Sequence, residues 1–358
     1  MSGGLSGGLS GGLSGGLSGG LSGGLSGGLG TMGIDANALT LSRAAIVGPY
    51  AGATLQTKEP PFDKPGNLAL WADGPRITAC FTELVEGLLF DTDAGRKQAT
   101  LAHANLRGGG RLQSKRLVTL RAPRKAQFKK QAELTAAYAD LRPDRAAEIV
   151  AQVGFPVPFW ASVVGLHEHR HKKTLQLLDL AYSLAVHVQM RFKQIFATPR
   201  PEVFSPQLQP MIPSPGHGSW PSGHATEAFL AATLIEALLD AATPGNGGAA
   251  REQLQRLAAR IATNRVVAGV HFPVDSAVGR LLGTALTEFL VARATGGETH
   301  ERGFDGHDYE QANGAALDFS LHQPLDHGHG YSRATRGAAV GSAPLVAWLW
   351  SEAVKEWA

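Results

Sequence analysis

Between Phe128 and Ala294 one period dominates the chain: apolar side chains return every three or four residues, in runs broken only around Pro and Gly. A 3.6-residue repeat gathers those side chains on one face of a helix, and such a face has to be buried against another. Helices are expected over residues 128–153, punctuated by Arg142-Pro143, and over 175–196, beyond Phe155-Pro156-Val157-Pro158. Three more are expected over about 223–242, 249–268 and 273–294, and an amphipathic one closes the chain at about 340–357. The fold class is therefore mainly α, a helical bundle. Residues 34 to about 110 are rich in Gly, Pro and Thr, with a few short strands or helices expected, and 34–126 should form an irregular N-terminal region packed on the core. Residues 296–336 are polar, Gly-rich and His-rich.

Residues 2–29 are seven copies of Ser-Gly-Gly-Leu. Without a charged start or a continuous apolar stretch the repeat does not read as a signal peptide, and two glycines per unit disfavour a helix. Residues 1–33 are read as a flexible linker or tag ahead of an original start at Met32, with a tether as the alternative. That leaves 34–126 and the bundle, 127–358, as the folded parts. No window of about 18 uncharged apolar residues, the length needed to cross a bilayer, exists; the longest candidate, 225–243, contains Glu227, Glu236 and Asp240. The expectation is a soluble, cytoplasmic protein without membrane insertion. A formal net charge of +3 gives no reason to expect a nucleic-acid partner, and a homo-oligomer is compatible with everything here. Cys80 is the single cysteine, so neither an internal disulfide nor a thiolate metal cluster can form. Nine Lys or Arg and no acid lie between Arg107 and Lys130, which reads as a solvated face or subunit contact, or else as an anion-attracting surface.

Three separated segments carry residues suited to an oxyanion. Lys193 precedes Arg200-Pro201 by seven positions; an ammonium gives a compact charge and a guanidinium two parallel N–H groups, and Pro199 and Pro201 put Arg200 where a helix opens into a loop. Within Trp220-Pro221-Ser222-Gly223-His224, Ser222 suits an N-cap, and the N–H groups of Gly223 and His224 then lie at the positive end of a helix, with His224 able to exchange a proton. Asn264-Arg265 is followed by His271 and Asp275. Gly269 and Pro273 imply that one helix stops and another starts there, so that Asp275 can reach back to one ring nitrogen of His271 and leave the other with its lone pair.

Lys-x6-Arg-Pro, Pro-Ser-Gly-His and Arg-x5-His-x3-Asp, in this order, resemble the three-part signature shared by vanadium haloperoxidases, bacterial class A acid phosphatases and phosphatidic acid phosphatases. The resemblance covers about 193–275. It implies a helical bundle of the haloperoxidase/acid phosphatase type, with Lys193, Arg200, Arg265, Ser222 and the Gly223 amide around the equatorial oxygens of a bound vanadate or phosphate. It further implies His271 as the apical, vanadium-ligating histidine, Asp275 behind it and His224 as the acid–base residue. The run from His217 to Thr226 looks like the equivalent stretch of algal bromoperoxidases, where a second histidine precedes the acid–base histidine by seven positions. That implies a vanadate-dependent haloperoxidase oxidising bromide or iodide with hydrogen peroxide. An acid phosphatase acting on phosphomonoesters through a phosphohistidine is the alternative, and a non-enzymatic phosphate or vanadate binder the third. Two features depart from the algal pattern: the spacing from Lys193 to Arg200 is one residue shorter, and Asn264 stands where a Ser is usual, which puts one supporting hydrogen bond in doubt.

Two other histidine groups compete. His167-Glu168-His169-Arg170-His171 matches H-E-x-x-H, which on a helix would put two zinc ligands on one face, with Asp179 or His187 as the nearest third ligand; Arg170, Lys172 and Lys173 make the neighbourhood unfavourable for a dication. His322, His327 and His329 are irregularly spaced in a Gly-rich stretch and read as surface residues.

Overall fold

The computed structural model describes residues 36–52, 54–104, 114–154 and 157–358. The Ser-Gly-Gly-Leu repeat and the first part of the basic run, including Arg107 and Arg111, lie outside the described residues. The α-helices are α1 (Ala36–Ile46), α2 (Asp73–Val85), α3 (Lys125–Tyr138), α4 (Arg142–Ala151), α5 (Val157–Val164), α6 (Lys172–Phe196), the single turn α7 (Pro201–Phe204), α8 (Gly223–Ala242), α9 (Asn246–Val267), α10 (Pro273–Thr295) and α11 (Pro344–Lys355). The fold is mainly helical. The expected stretch 128–153 is two helices, since Pro143 opens α4 at its start.

The strongly apolar α8 is at the centre, against α6, α9 and α10, and its inward side chains, among them Phe229, Leu230, Leu234 and Leu238, are fully buried. Close approach of α8 and α10 depends on two glycines. A methyl at Gly279 would lie 2.6 Å from Ala225 Cβ, and one at Gly283 would lie 2.8 Å from the Leu230 backbone nitrogen.

The region before the bundle is more regular than expected. Strands β1 (Leu88–Asp93), β2 (Gln98–Ala104) and β3 (Ser114–Arg121) form an antiparallel meander, and β3 pairs in parallel with β4 (Glu298–Asp305), which pairs antiparallel with β5 (Tyr331–Ala339). Part of the stretch read as polar, Gly-rich and His-rich, 296–336, is thus the second half of a five-stranded sheet. Leu101, Val118, Leu120 and Phe304 of this sheet join the same hydrophobic core as Leu184, Phe229 and Leu286 of the helices.

The H-E-x-x-H segment is not helical: residues 168–170 form a turn. His171 Nδ1 accepts the His167 backbone N–H at 2.9 Å, and its ring stacks on Trp357 at 4.1 Å. The geometry that would aim two histidines at one zinc ion is therefore lacking. Among the described residues no helix is long and apolar enough to cross a membrane.

Candidate active site

Local chain chemistry places each site residue. Helix α6 ends at Phe196 because Ala197 turns left-handed (φ 46°) and Pro199 follows; Lys193 stays in the last turn and Arg200 caps α7. Ser222 caps α8, its Oγ accepting the Ala225 N–H at 3.4 Å. Helix α9 stops in a Schellman arrangement: Gly269 (φ 80°) donates to Val266 O at 2.8 Å and Val270 donates to Arg265 O at 3.2 Å. His271 follows at once, and Pro273 starts α10.

His271 and Asp275 are both buried. With Asp275 as the acceptor, His271 Nδ1–H donates to Asp275 Oδ2 at 2.9 Å, which leaves the lone pair on Nε2, where Arg200 Nη1 donates at 3.0 Å. The Phe272 amide (3.1 Å) and the Ser219 hydroxyl also donate to Asp275 Oδ2. Burial pushes Asp275 up to about 6, against the pull of these hydrogen bonds, and burial followed by Arg200 and Lys193 holds His271 well below the usual histidine range. At neutral pH the pair is a carboxylate holding a neutral imidazole in one tautomer.

The three cations differ in what they have left to give. Lys193 Nζ donates to the carbonyls of Gly218 (2.9 Å), Ser219 (3.0 Å) and Pro221 (2.6 Å). All three of its N–H bonds are thereby engaged in shaping the loop before Ser222, and it acts on an anion by charge. Arg200 donates to Val270 O at 2.6 Å and to His217 O and Nδ1, both at 3.1 Å. Arg265 is 1% exposed and donates through Nη2 to Ile149 O at 2.9 Å, while Nε and Nη1 are buried without a protein acceptor. A buried guanidinium N–H left unpaired costs about 1–3 kcal/mol, so this group is matched to oxyanion acceptors. By helix geometry the Gly223 and His224 N–H groups at the start of α8 have no acceptor within the helix.

His224 Nε2–H donates to Gln152 O at 3.0 Å, leaving Nδ1 for proton exchange; burial and then Arg265 hold it down to about 3. His217 is half-buried, and its Nδ1 lies between Arg200 Nη2, a donor, and the Gly218 carbonyl, an acceptor, each at 3.1 Å; burial and then Lys193 hold it down to about 4. Burial also lowers Arg200 and Arg265, each to about 10, and lowers Lys193 together with Arg200. Every basic group here is pressed towards its neutral form by burial and, at Lys193 and the three histidines, by mutual repulsion, and a bound polyanion opposes both. Lys193, Arg200 and His217 line a cavity of about 450 Å³.

Several supporting residues lie outside the sequence motifs. Gln152, wholly buried before α5, takes the Asn264 amide on Oε1 at 2.9 Å, meets Arg265 Nη2 at 3.5 Å, donates to Glu148 at 3.0 Å, and gives its carbonyl to His224. Asn264, where the usual Ser is replaced, accepts from Arg145 at 2.9 Å and so connects Arg265 to Gln152 and α4. Gln189 donates to Glu227 at 2.8 Å, and burial pushes that carboxyl up to about 7. No spacing rule marks Gln152, Gln189 or Glu227, whereas Ser219 and Asn264 sat in segments already singled out.

Residues 176–295, from α6 to the end of α10, match the PAP2 superfamily, which supports placing the chain in that superfamily. Its members are generally enzymes, phosphatases and haloperoxidases among them. The matched stretch carries Lys193, Arg200, His217, Ser222, Gly223, His224, Arg265, His271 and Asp275, and Gln152 lies before it. No curated protein matches the chain.

Proposed function

We propose that this protein is a vanadate-dependent haloperoxidase that oxidises bromide or iodide with hydrogen peroxide. The observation that carries the reading is His217: a neutral imidazole, hydrogen-bonded to the same Arg200 that reaches His271, lies on the wall of the cavity beside the cage. The cage itself fits a tetrahedral oxyanion, because Arg265 brings two buried N–H-bearing atoms that no protein group accepts. Bound vanadate would supply a Lewis-acidic centre that takes up hydrogen peroxide and makes it electrophilic towards halide. The chain's part is then to donate the His271 Nε2 lone pair, kept available by Asp275 and Ser219, and to hold oxygens with Arg265, Arg200, Ser222 and the Gly223 amide. Lys193 balances charge, His224 moves a proton through Nδ1, and His217 presents its imidazole on the halide side.

Phosphomonoester hydrolysis is the second reading, supported by the neutral His271 held in its nucleophilic tautomer. There Nε2 attacks phosphorus, the ester P–O bond breaks, His224 protonates the leaving alcohol, and water then cleaves the phosphohistidine. Parallel assays separate the two: bromination of a dye by vanadate-loaded protein with peroxide, and phosphate release by vanadate-free protein. The proposal expects bromination. Brisk phosphate release without bromination overturns it and leaves the cage standing.

A further inference from the structure

Three cations of the basic run that the sequence left between two meanings line a second cavity. Arg121 at the end of β3 and Arg124 and Lys125 at the start of α3 line a space of about 1070 Å³, with Arg96 and Lys97 from the β1–β2 turn and Arg191 from α6 completing the rim. The single acidic residue among the lining is Asp93. Six cations against one carboxylate give a formal +5, where the whole chain carries +3. The remainder of the protein is thus slightly acidic in formal charge, and this rim carries more than the net excess of positive charge. Arg121 pairs with Asp305 at 3.0 Å and Arg191 leans on the Gln194 amide, while Arg96, Lys97, Arg124, Lys125 and Arg191 are all exposed.

The floor is apolar. Phe128 and Phe204 line it together with Phe196, and both pack on Phe272, the neighbour of His271, at ring-centre distances of 5.1 and 5.5 Å. The cavity also shares Gln194, Ala197, Thr198 and Pro199 with the smaller one bounded by Lys193, Arg200 and His217. A cation rim, an aromatic floor and a wall in common with the cage describe the surroundings of an organic molecule with an apolar or aromatic body and an acidic group.

We infer that this cavity is a substrate subsite for a small organic acid, which seats its apolar body on Phe128, Phe196 and Phe204 and its non-reacting carboxylate, sulfate or phosphate on the rim formed by Arg124, Lys125 and Arg191. The assignment builds on the cage as the reacting end, and it applies to an anionic halogen acceptor or to a phosphomonoester with a second acidic group.

The test is binding and needs no turnover. Equilibrium dialysis of naphthalene-2-sulfonate is run with one equivalent of inorganic phosphate per chain, enough to fill the cage without competing for the rim, on wild-type protein and on the Lys125→Glu/Arg191→Glu variant, with 2-naphthol as the neutral comparison. Both substituted positions are exposed, and circular dichroism verifies the fold. The expected result is saturable uptake of one sulfonate per chain, weakened about tenfold or more by the double reversal and at least that much weaker for the naphthol, a difference of ~1.4 kcal/mol. Absent uptake, or equal uptake by the variant, or equal uptake of the naphthol, overturns the inference. Uptake by a protein that neither brominates nor hydrolyses upholds the subsite and overturns only the proposed activity.

Discussion

Gln152→Ala probes the support of the site at a residue that touches no expected ligand. The side chain is fully buried and accepts the Asn264 amide at 2.9 Å; its loss leaves that N–H without an acceptor, removes one donor from Glu148, which keeps Arg260, and opens a small void. An unpaired buried amide costs about 1–3 kcal/mol and the void about 1 kcal/mol more, so a loss of ~2–4 kcal/mol is expected from urea unfolding. Arg265 keeps its bond to Ile149 O but loses the neighbour that limits its swing. Phosphate or vanadate affinity should fall by about 5- to 20-fold, or ~1–2 kcal/mol, by calorimetric titration. His224 is held by the Gln152 backbone carbonyl, which the substitution spares, so the pH dependence of turnover should stay. Gln152→Met separates packing from hydrogen bonding: it refills the volume and should recover part of the stability without recovering anion affinity. Anion affinity within about twofold of wild type in both variants would refute the view that Gln152 positions Arg265.

Two further outcomes follow from the packing and the charges around α8. Gly283→Ala forces a methyl against the Leu230 nitrogen and the Thr226 carbonyl, so it should cost about 1–3 kcal/mol in urea unfolding and weaken anion binding by displacing the start of α8; an unchanged midpoint contradicts the close approach. Glu227 has a folded-state value near 7, above that of an unfolded carboxyl, so its contribution is intact below about pH 4.5 and is lost as pH rises through 7. Glu227→Gln should therefore gain stability relative to wild type between pH 5 and pH 8, by up to ~3 kcal/mol, and a difference that does not grow with pH would contradict the buried carboxyl.

The helices were legible because each carries its period and its punctuation. Ser222 before an apolar run gave the start of α8 at Gly223, and Gly269 with Pro273 gave the break that exposes His271. The sheet was not legible in the same way. β4 reads Glu-Thr-His-Glu-Arg-Gly-Phe-Asp, and its partner β3 is about 180 residues earlier, so what makes it a strand is a long-range ladder rather than a local pattern. The same division holds in the site. His271 with Asp275 is a contact four residues apart and could be foreseen, whereas Gln152 meets Asn264 and Arg265 across more than 110 residues. The charge of Lys193 was readable too, but its three carbonyl acceptors depend on how the loop from Gly218 to Pro221 folds over it.

The central claim is that one cage, built on His271 and Arg265, takes a tetrahedral oxyanion and can retain vanadate. Equilibrium dialysis of orthovanadate against wild-type, His271→Ala and His224→Ala protein at neutral pH tests it most directly. The account predicts one vanadate per wild-type chain, displaced by phosphate, lost in His271→Ala because the donating nitrogen is gone, and kept in His224→Ala, where only a proton-exchanging group is removed. No uptake by the wild type, or retention by His271→Ala equal to that of the wild type, would contradict it.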